Sequence, residues 1–281
     1  MNESDKLQEM LFVNKEQKEF YEGRDDIGLN RKGNVFTRLW RIARRSQIAF
    51  REAIHIDTFI YNMHSKWLSN LSDKSVLDLG CYNGNFLSIL LAQNSQNYIG
   101  IDLSENAIED LNKKLIERKI NNAIGISKDF LSDEFQMDNK EKFDVIYAHS
   151  VAHHFKHFEV FLEKCHNCLR EDGVLITFDP LQTYLPMYLM RQLYRPFQSD
   201  KDWEYPFKRE NIKLIRKFFD IVNIQGIMGK AKLASPIYFF NHKVGIRLGL
   251  KWAEHDKIMA SKEGKSLYNC LQVTLRLKKT T

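Results

Sequence analysis

Four histidines, His149, His153, His154 and His157, crowd together directly after an apolar run, Phe143 to Ala148. Imidazole titrates close to neutrality, so a histidine fixed at a strand end can take a proton from a hydroxyl or an ammonium group. His153 and His154 are the candidates for that task. The competing reading packs one of the four inside and leaves the others in solvent. A metal site is also conceivable, since His149 with His153 and His153 with His157 have i, i+4 spacing. A third ligand of clear identity is missing, so no metal is expected.

A second group of residues points to what those histidines would face. Lys74 to Phe86 reads K-S-V-L-D-L-G-C-Y-N-G-N-F, in which Val76, Leu77 and Leu79 run past Asp78 into Gly80 and Gly84. Phe86, Leu87, Leu90 and Leu91 then follow at helical spacing. This is a strand, a tight turn and a helix start. Glycine belongs in such a turn because it lets backbone N–H groups approach a ligand and tolerates positive φ. Asp102 closes a second apolar stretch, Tyr98 to Ile101, about 20 residues beyond the turn, where a carboxylate can accept both hydroxyls of a ribose. A nucleoside-bearing cofactor is therefore expected. The G-x-G-x-x-G spacing of a dinucleotide loop is absent, which disfavours a nicotinamide-dependent reductase.

The elements that must position these groups alternate along the chain. Ser104 is placed to cap a helix carrying Ala107, Ile108, Leu111 and Leu115. A third strand, Ala123 to Ile126, leads to Lys128, Asp129 and Phe130, and a fourth carries F-D-V-I from Phe143. A helix through Phe158, Phe161, Leu162 and Cys165 precedes a fifth strand after Gly173, ending at Asp179-Pro180. A helix from Glu210 to Phe219, a strand from Ile221 to Ile227 and a last strand, Leu271 to Leu277, complete the pattern. Alternation of this kind predicts a doubly wound α/β sheet, with reacting groups at the C-terminal ends of its strands.

Val76-Leu77-Asp78-Leu79-Gly80-Cys81-Tyr82-Asn83-Gly84 resembles the first motif of class I S-adenosylmethionine-dependent methyltransferases, V-L-D-x-G-x-G-x-G, with Tyr82 in place of the middle glycine. F-D-V-I at Phe143 and L-x-x-x-G-x-L-I at Leu169 are similar to that family's fourth and fifth strands, and the likeness covers about residues 70–180. It implies a Rossmann-like, doubly wound seven-stranded sheet, mostly parallel with an antiparallel last strand, plus helical lid inserts. It further implies S-adenosyl-L-methionine as cofactor, with Gly80 and Gly84 giving backbone room and Asp78 orienting the loop and the methionyl amino group through water. Cys81, Tyr82 and Leu103 would flank the ligand, Asp102 would hold the ribose and His149 would complete the wall. Asp129 would accept from the adenine amino group beside Phe130; alternatively, Asp129 caps the next turn.

The domain boundaries follow. Residues 1–70 form an N-terminal helical segment, 71–180 the core, 181–209 a lid insert, and 210–281 the rest of the core with an insert at 229–265. Residues 1–33 read as a mobile segment able to order over the site. In the helix from Asn34, Arg38, Arg41 and Arg45 recur on one face beside Arg44 and Arg51, either as a solvated face or as a patch for a phosphorylated substrate. Four of the five prolines lie between Pro180 and Pro206, which marks the lid. Its Tyr184, Tyr188, Arg191, Arg195 and Trp203 are the candidate substrate residues, with Phe197 among their aromatic neighbours. The two arginines stand at i, i+4, suited to an anionic group or to snorkelling on an amphipathic helix. Insert 229–265 reads as pocket wall or as an oligomer contact.

Composition sets the remaining bounds. The 281 residues are 43% hydrophobic, enough for a sizeable core. The net charge of +6 is below what a dedicated nucleic-acid binder shows. The N/D-P-P-Y/F signature of base-methylating enzymes is replaced after strand four by H-S-V-A. There is no apolar run of about 18 residues and no secretory signal, and four scattered cysteines fit a reduced, cytoplasmic setting. Cys165 and Cys168 read as small apolar helix positions. The expected function is methyl transfer to O, N or C of a small-molecule acceptor without nucleic acid. The alternatives are an RNA or protein methyltransferase, or a non-catalytic binding protein of the same fold.

Overall fold

A computed structural model describes residues 2–22, 35–195 and 203–280. The side chains of Arg38 and Arg41, and the lid residue Phe197, fall outside that description. The seven strands are β1 (Ser75–Leu79), β2 (Asn97–Asp102), β3 (Ala123–Ser127), β4 (Phe143–His149), β5 (Leu169–Pro180), β6 (Phe219–Ile227) and β7 (Gln272–Lys279). They form one sheet in the order β3-β2-β1-β4-β5-β7-β6, with β7 antiparallel to both β5 and β6. The expected mixed, Rossmann-like sheet is what is observed. Strand order reverses between β1 and β4, and a crevice opens there beyond the C-terminal strand ends.

Every residue of β1 is buried, as a central parallel strand covered on both faces requires. Successive side chains feed opposite layers. Leu77 and Ile146 point into one core with Phe161 and Phe130, whereas Val76 and Tyr147 point into another with Leu87 and Leu111. Helices α1 (Glu3–Glu22), α2 (Val35–Ala53) and α3 (Ile56–Trp67) precede the sheet. Helices α4 (Phe86–Asn94) and α5 (Glu105–Glu117) cross over on one face, and α6 (Asp133–Asp138) and α7 (Phe158–Cys168) lie on the other. The Asn85 side chain accepts from the N–H groups of Leu87 and Ser88, and Ser104 accepts from Ala107, so both crossover helices begin on side-chain caps.

Beyond the fifth strand lie α8 (Leu185–Tyr194) and α9 (Arg209–Ile215), then α10 (Ala234–Phe240), α11 (His242–Met259) and α12 (Lys265–Tyr268). The insert at 229–265 is thus mainly a helical hairpin. It packs on α2 and α3 through Phe50, Ile54, Ile60, Ala234 and Ala253. Its turn is tight at Gly245, where a Cβ would lie 2.3 Å from the Cα of Tyr238. Under α3, His64 bridges β4 and β7: its Nδ1 is 3.0 Å from the Tyr147 hydroxyl and its Nε2 is 2.7 Å from Thr274 Oγ1. Thr274 donates to the Thr177 carbonyl, so Nε2–H donates to Thr274 and Nδ1 accepts from Tyr147. Burial holds His64 neutral, its pKa lowered to about 3.

One local expectation becomes more definite. Within the segment read as mobile but able to order over the site, α1 occupies Glu3–Glu22, sinks Met10, 2% exposed, into the core beside α7 and lines the cleft described below, while residues 23–33 lie outside the described residues. Its many charges hide a short apolar stripe, Leu7, Met10 and Leu11, which suffices because neighbouring side chains supply the rest of the burial. Among the described residues, no helix is long and apolar enough to cross a membrane.

Candidate active site

The turn after β1 is held from both sides. Gly80 and Cys81 donate backbone N–H groups to the Ile101 carbonyl at 2.8 and 3.2 Å, tying the turn to the end of β2. Gly80 has φ of 67°, and a Cβ there would lie 2.3 Å from Val151 Cγ2, so no other residue fits without movement. Tyr82, where the resembled family has glycine, takes the left-handed conformation itself, with φ of 48°. Its N–H donates to Asp102 Oδ2 at 2.9 Å, while Ser104 N–H donates to Oδ1 at 3.0 Å. Asp102 therefore braces the turn that it faces. Burial pushes its carboxyl up, and those backbone donors pull it back.

The cleft beside this turn has a volume of about 330 Å³, at the lower end of the range typical of small-molecule sites. Gly80, Tyr82, Asp102 and Leu103 form one end. Asp129 and Phe130 form another side, and Ser150, Val151, His154 and Phe155 close it from the turn after β4. Asn14 and Gln17 of α1 cover it. Asp129 accepts from Leu131 N–H at 2.9 Å, so it caps its own turn, and Asn14 Nδ2 lies 3.0 Å from each of its oxygens. Burial is the larger influence on Asp129 and raises its pKa.

His153 and His154 sit on a short 3-10 turn, Ala152–His154, with ring centroids 4.3 Å apart. His154 lines the cleft, and its Nδ1 lies 3.0 Å from the Trp203 carbonyl. A carbonyl only accepts, so His154 carries its proton on Nδ1 and Nε2 is the basic nitrogen. His153 stands one step behind, 7% exposed, with Nδ1 2.8 Å from Asp179 Oδ1. The same oxygen accepts His153 N–H at 3.0 Å. Asp179 is fully buried and its pKa is pushed up to about 7 by desolvation. Residues 203–207 fasten over this pair, with Tyr205 N–H donating to the His153 carbonyl at 2.7 Å.

Several residues singled out in the sequence lie outside the cleft wall. Asp78 is buried beneath the turn, bonded at 2.8 Å by the Tyr98 hydroxyl, and burial raises its pKa to about 6. It supports the turn from below and is not among the residues that line the cleft. The Cys81 thiol packs under the same turn, and Gly84, with φ of 75°, precedes the Asn85 cap of α4 with its carbonyl 3.3 Å from Lys114 Nζ. His149 points to the opposite face of the sheet because side chains alternate along β4. There it packs on Phe178, centroids 4.8 Å apart, and faces Tyr61, and burial lowers its pKa to about 4. Tyr184, the N-cap of α8, and Tyr188, Arg191 and Arg195 on α8 and at its end are not among the residues that line the cleft; Tyr184 lies under Lys232 Nζ at 3.9 Å. Trp203 contributes its backbone carbonyl.

Sequence reasoning missed Asn14, Gln17 and the partnership of Asp179 with His153. The spacing of Met10, Asn14 and Gln17 at i, i+4 and i+7 was a signal for one helix face. No local signal pairs His153 with Asp179.

The comparisons with known proteins agree with the fold. A methyltransferase domain family matches residues 56–234. An uncharacterized protein of Haemophilus influenzae is 32% identical over 152 residues, 53% of this chain and 57% of its own length. A ubiquinone biosynthesis O-methyltransferase of Chelativorans sp. is 30% identical over 102 residues, 36% of this chain and 38% of its own. The chain thus spans between 38% and 57% of these curated relatives. Among solved structures, the YcgJ protein of Bacillus subtilis superposes with a TM-score of 0.52 at 17% identity, covering 79% of this chain and 98% of that one. An S-adenosylmethionine-dependent methyltransferase of Methanosarcina mazei gives 0.52 at 15% identity, covering 77% and 96%. At such identities the likeness is one of fold. With the family match spanning more than half its length, from α3 through the strand ends that build the cleft to the start of α10, the chain belongs to the methyltransferase domain family.

Proposed function

We propose that this chain transfers a methyl group from S-adenosylmethionine to a hydroxyl of a small molecule. The observation that carries the reading is the cleft itself. Two carboxylates, Asp102 and Asp129, stand at the ends of neighbouring strands, Gly80 lines the cleft beside them with no side chain to fill it, and His154 lies on the far wall. Apolar Leu103, Phe130 and Phe155 suit a purine and a dry reaction centre. This donor and acceptor set fits a nucleoside carrying a short polar tail.

When bound, S-adenosylmethionine supplies an electrophilic methyl on a sulfonium with a neutral leaving group. Asp102 would accept from the ribose hydroxyls, and Asp129 would accept from the adenine amino group. His154 Nε2 takes the proton of the acceptor hydroxyl, and the Trp203 carbonyl fixes the tautomer that makes this possible. His153, held by Asp179, positions its neighbour through ring contact. Val151 and Phe155 exclude water, so alignment of nucleophile and methyl supplies most of the acceleration. The relative named for O-methyl transfer favours oxygen as the acceptor atom.

The test has two parts. Calorimetry with S-adenosylhomocysteine should give tight binding, with none for NADH. A panel of phenols, alcohols and amines incubated with methyl-labelled S-adenosylmethionine should then yield a labelled product, with the rate falling about 10²- to 10⁴-fold in His154→Gln. Absence of S-adenosylhomocysteine binding sinks the reading, and an unchanged rate in His154→Gln removes the base.

A further inference from the structure

Gln17 is left without a role by the reading above, and its surroundings ask for one. It is 5% exposed, lines the same cleft as Asp129 and Leu103, and its Nε2 has no hydrogen-bond partner. A buried N–H group with nothing to donate to is costly, so native structures rarely keep one. The helix cannot easily turn it away. Met10 anchors α1 in the core, Glu9 bonds Lys156 at 2.5 Å and His157 at 2.7 Å, and Lys18 bonds Glu105 at 2.5 Å.

Asn14, one turn earlier on the same face, narrows what the missing acceptor is. Its amide nitrogen contacts both oxygens of Asp129, and Leu131 N–H takes a further site on Oδ1. A carboxylate has about four lone-pair sites, so Oδ2 keeps one for an incoming amino hydrogen. A purine amino group drawn to that site brings its ring nitrogens beneath α1. Carboxamides recognise adenine by donating to a ring nitrogen.

We propose that α1 is a wall of the nucleoside pocket and that Gln17 Nε2 donates to a ring nitrogen of the adenine. This rests on the reading of the cleft as the S-adenosylmethionine site and adds to it a residue from the helix that precedes the sheet. The contact is to the nucleoside, so it must act equally on ligands that share only that part.

The experiment measures S-adenosylhomocysteine and adenosine binding by calorimetry to wild-type protein and to Gln17→Leu, together with the Tm of each without ligand. Both ligands should bind about tenfold more weakly to the variant. Its ligand-free Tm should hold or rise by a few degrees, because an unmet buried donor has gone. Gln17→Met, unbranched and similar in length, serves as the second variant. Wild-type binding with affinity unchanged in both variants overturns the inference alone. Weaker binding accompanied by a lower ligand-free Tm in both variants also overturns it, because Gln17 then merely seats the helix. Wild-type protein that binds neither ligand overturns the methyltransferase reading and this inference with it.

Discussion

Replacing Asp102 by Asn tests the centre of the site with almost no change of shape. Both carboxylate oxygens already accept backbone N–H groups, from Tyr82 at 2.9 Å and Ser104 at 3.0 Å. An amide keeps one acceptor and presents a donor where the other stood. Ser104 is buried and Tyr82 exposed, so the amide oxygen should stay with Ser104 and the Tyr82 N–H should turn to water. Tyr82 then loses the bond that helps hold its left-handed φ of 48°, and the turn loosens. One lost charge-assisted bond is worth about 1.5–3 kcal/mol, and the weaker ribose contact adds about 1 kcal/mol. The expected loss in S-adenosylhomocysteine affinity is therefore about 2.5–4 kcal/mol, roughly 60- to 900-fold. Calorimetry at pH 7.5, with circular dichroism to establish that the variant is folded, reads it directly. A folded variant whose Kd stays within about threefold of wild type would refute both the brace and the ribose assignment.

Other measurements probe the frame. His64 is kept neutral with a pKa of about 3, well below its unfolded value, so the unfolded chain binds the extra proton between about pH 6.5 and 3. Stability from this group is present above that window and is lost as pH falls, by up to about 1.4 kcal/mol per pH unit. Gln in its place can accept from Tyr147 and donate to Thr274, so the Tm of His64→Gln should decline less than that of wild type below pH 6. Parallel curves would remove His64 as a source of acid sensitivity. Gly245→Ala would drive a Cβ to 2.3 Å from the Tyr238 backbone, and should cost about 3 kcal/mol or more by urea unfolding. A loss under 1 kcal/mol would mean that the α10–α11 turn relaxes freely. Tyr82→Gly should relieve about 1 kcal/mol of left-handed strain, offset in part by unfolded-chain entropy, and should leave S-adenosylhomocysteine binding intact. A large loss of affinity would show the Tyr82 ring to be a ligand contact.

Much of the frame was legible because its signals are local. A buried strand, a glycine turn and a capped helix each fit within a few residues, and the interval from Gly80 to Asp102 follows from one crossover helix of ordinary length. The N-terminal segment was harder, since α1 carries a thin apolar stripe among many charges and finds the rest of its burial against α7, far along the chain. The histidines show the limit most plainly. Their place at and just after the end of β4 was readable, but which ring faces the cleft was not.

Local signals in the chain were enough for the α/β alternation, the glycine turn after β1 and the carboxylate at the end of β2, because each depends on contacts near in the chain. Tertiary structure alone decided that His149 turns to the far face while His154 meets the cleft. It also decided that Asp179 backs His153 and that α1 lays Asn14 and Gln17 over Asp129. Those pairings come from parallel strand register, which sets Phe178 beside His149, and from helix docking across more than a hundred residues. Neither leaves a periodic trace in the chain.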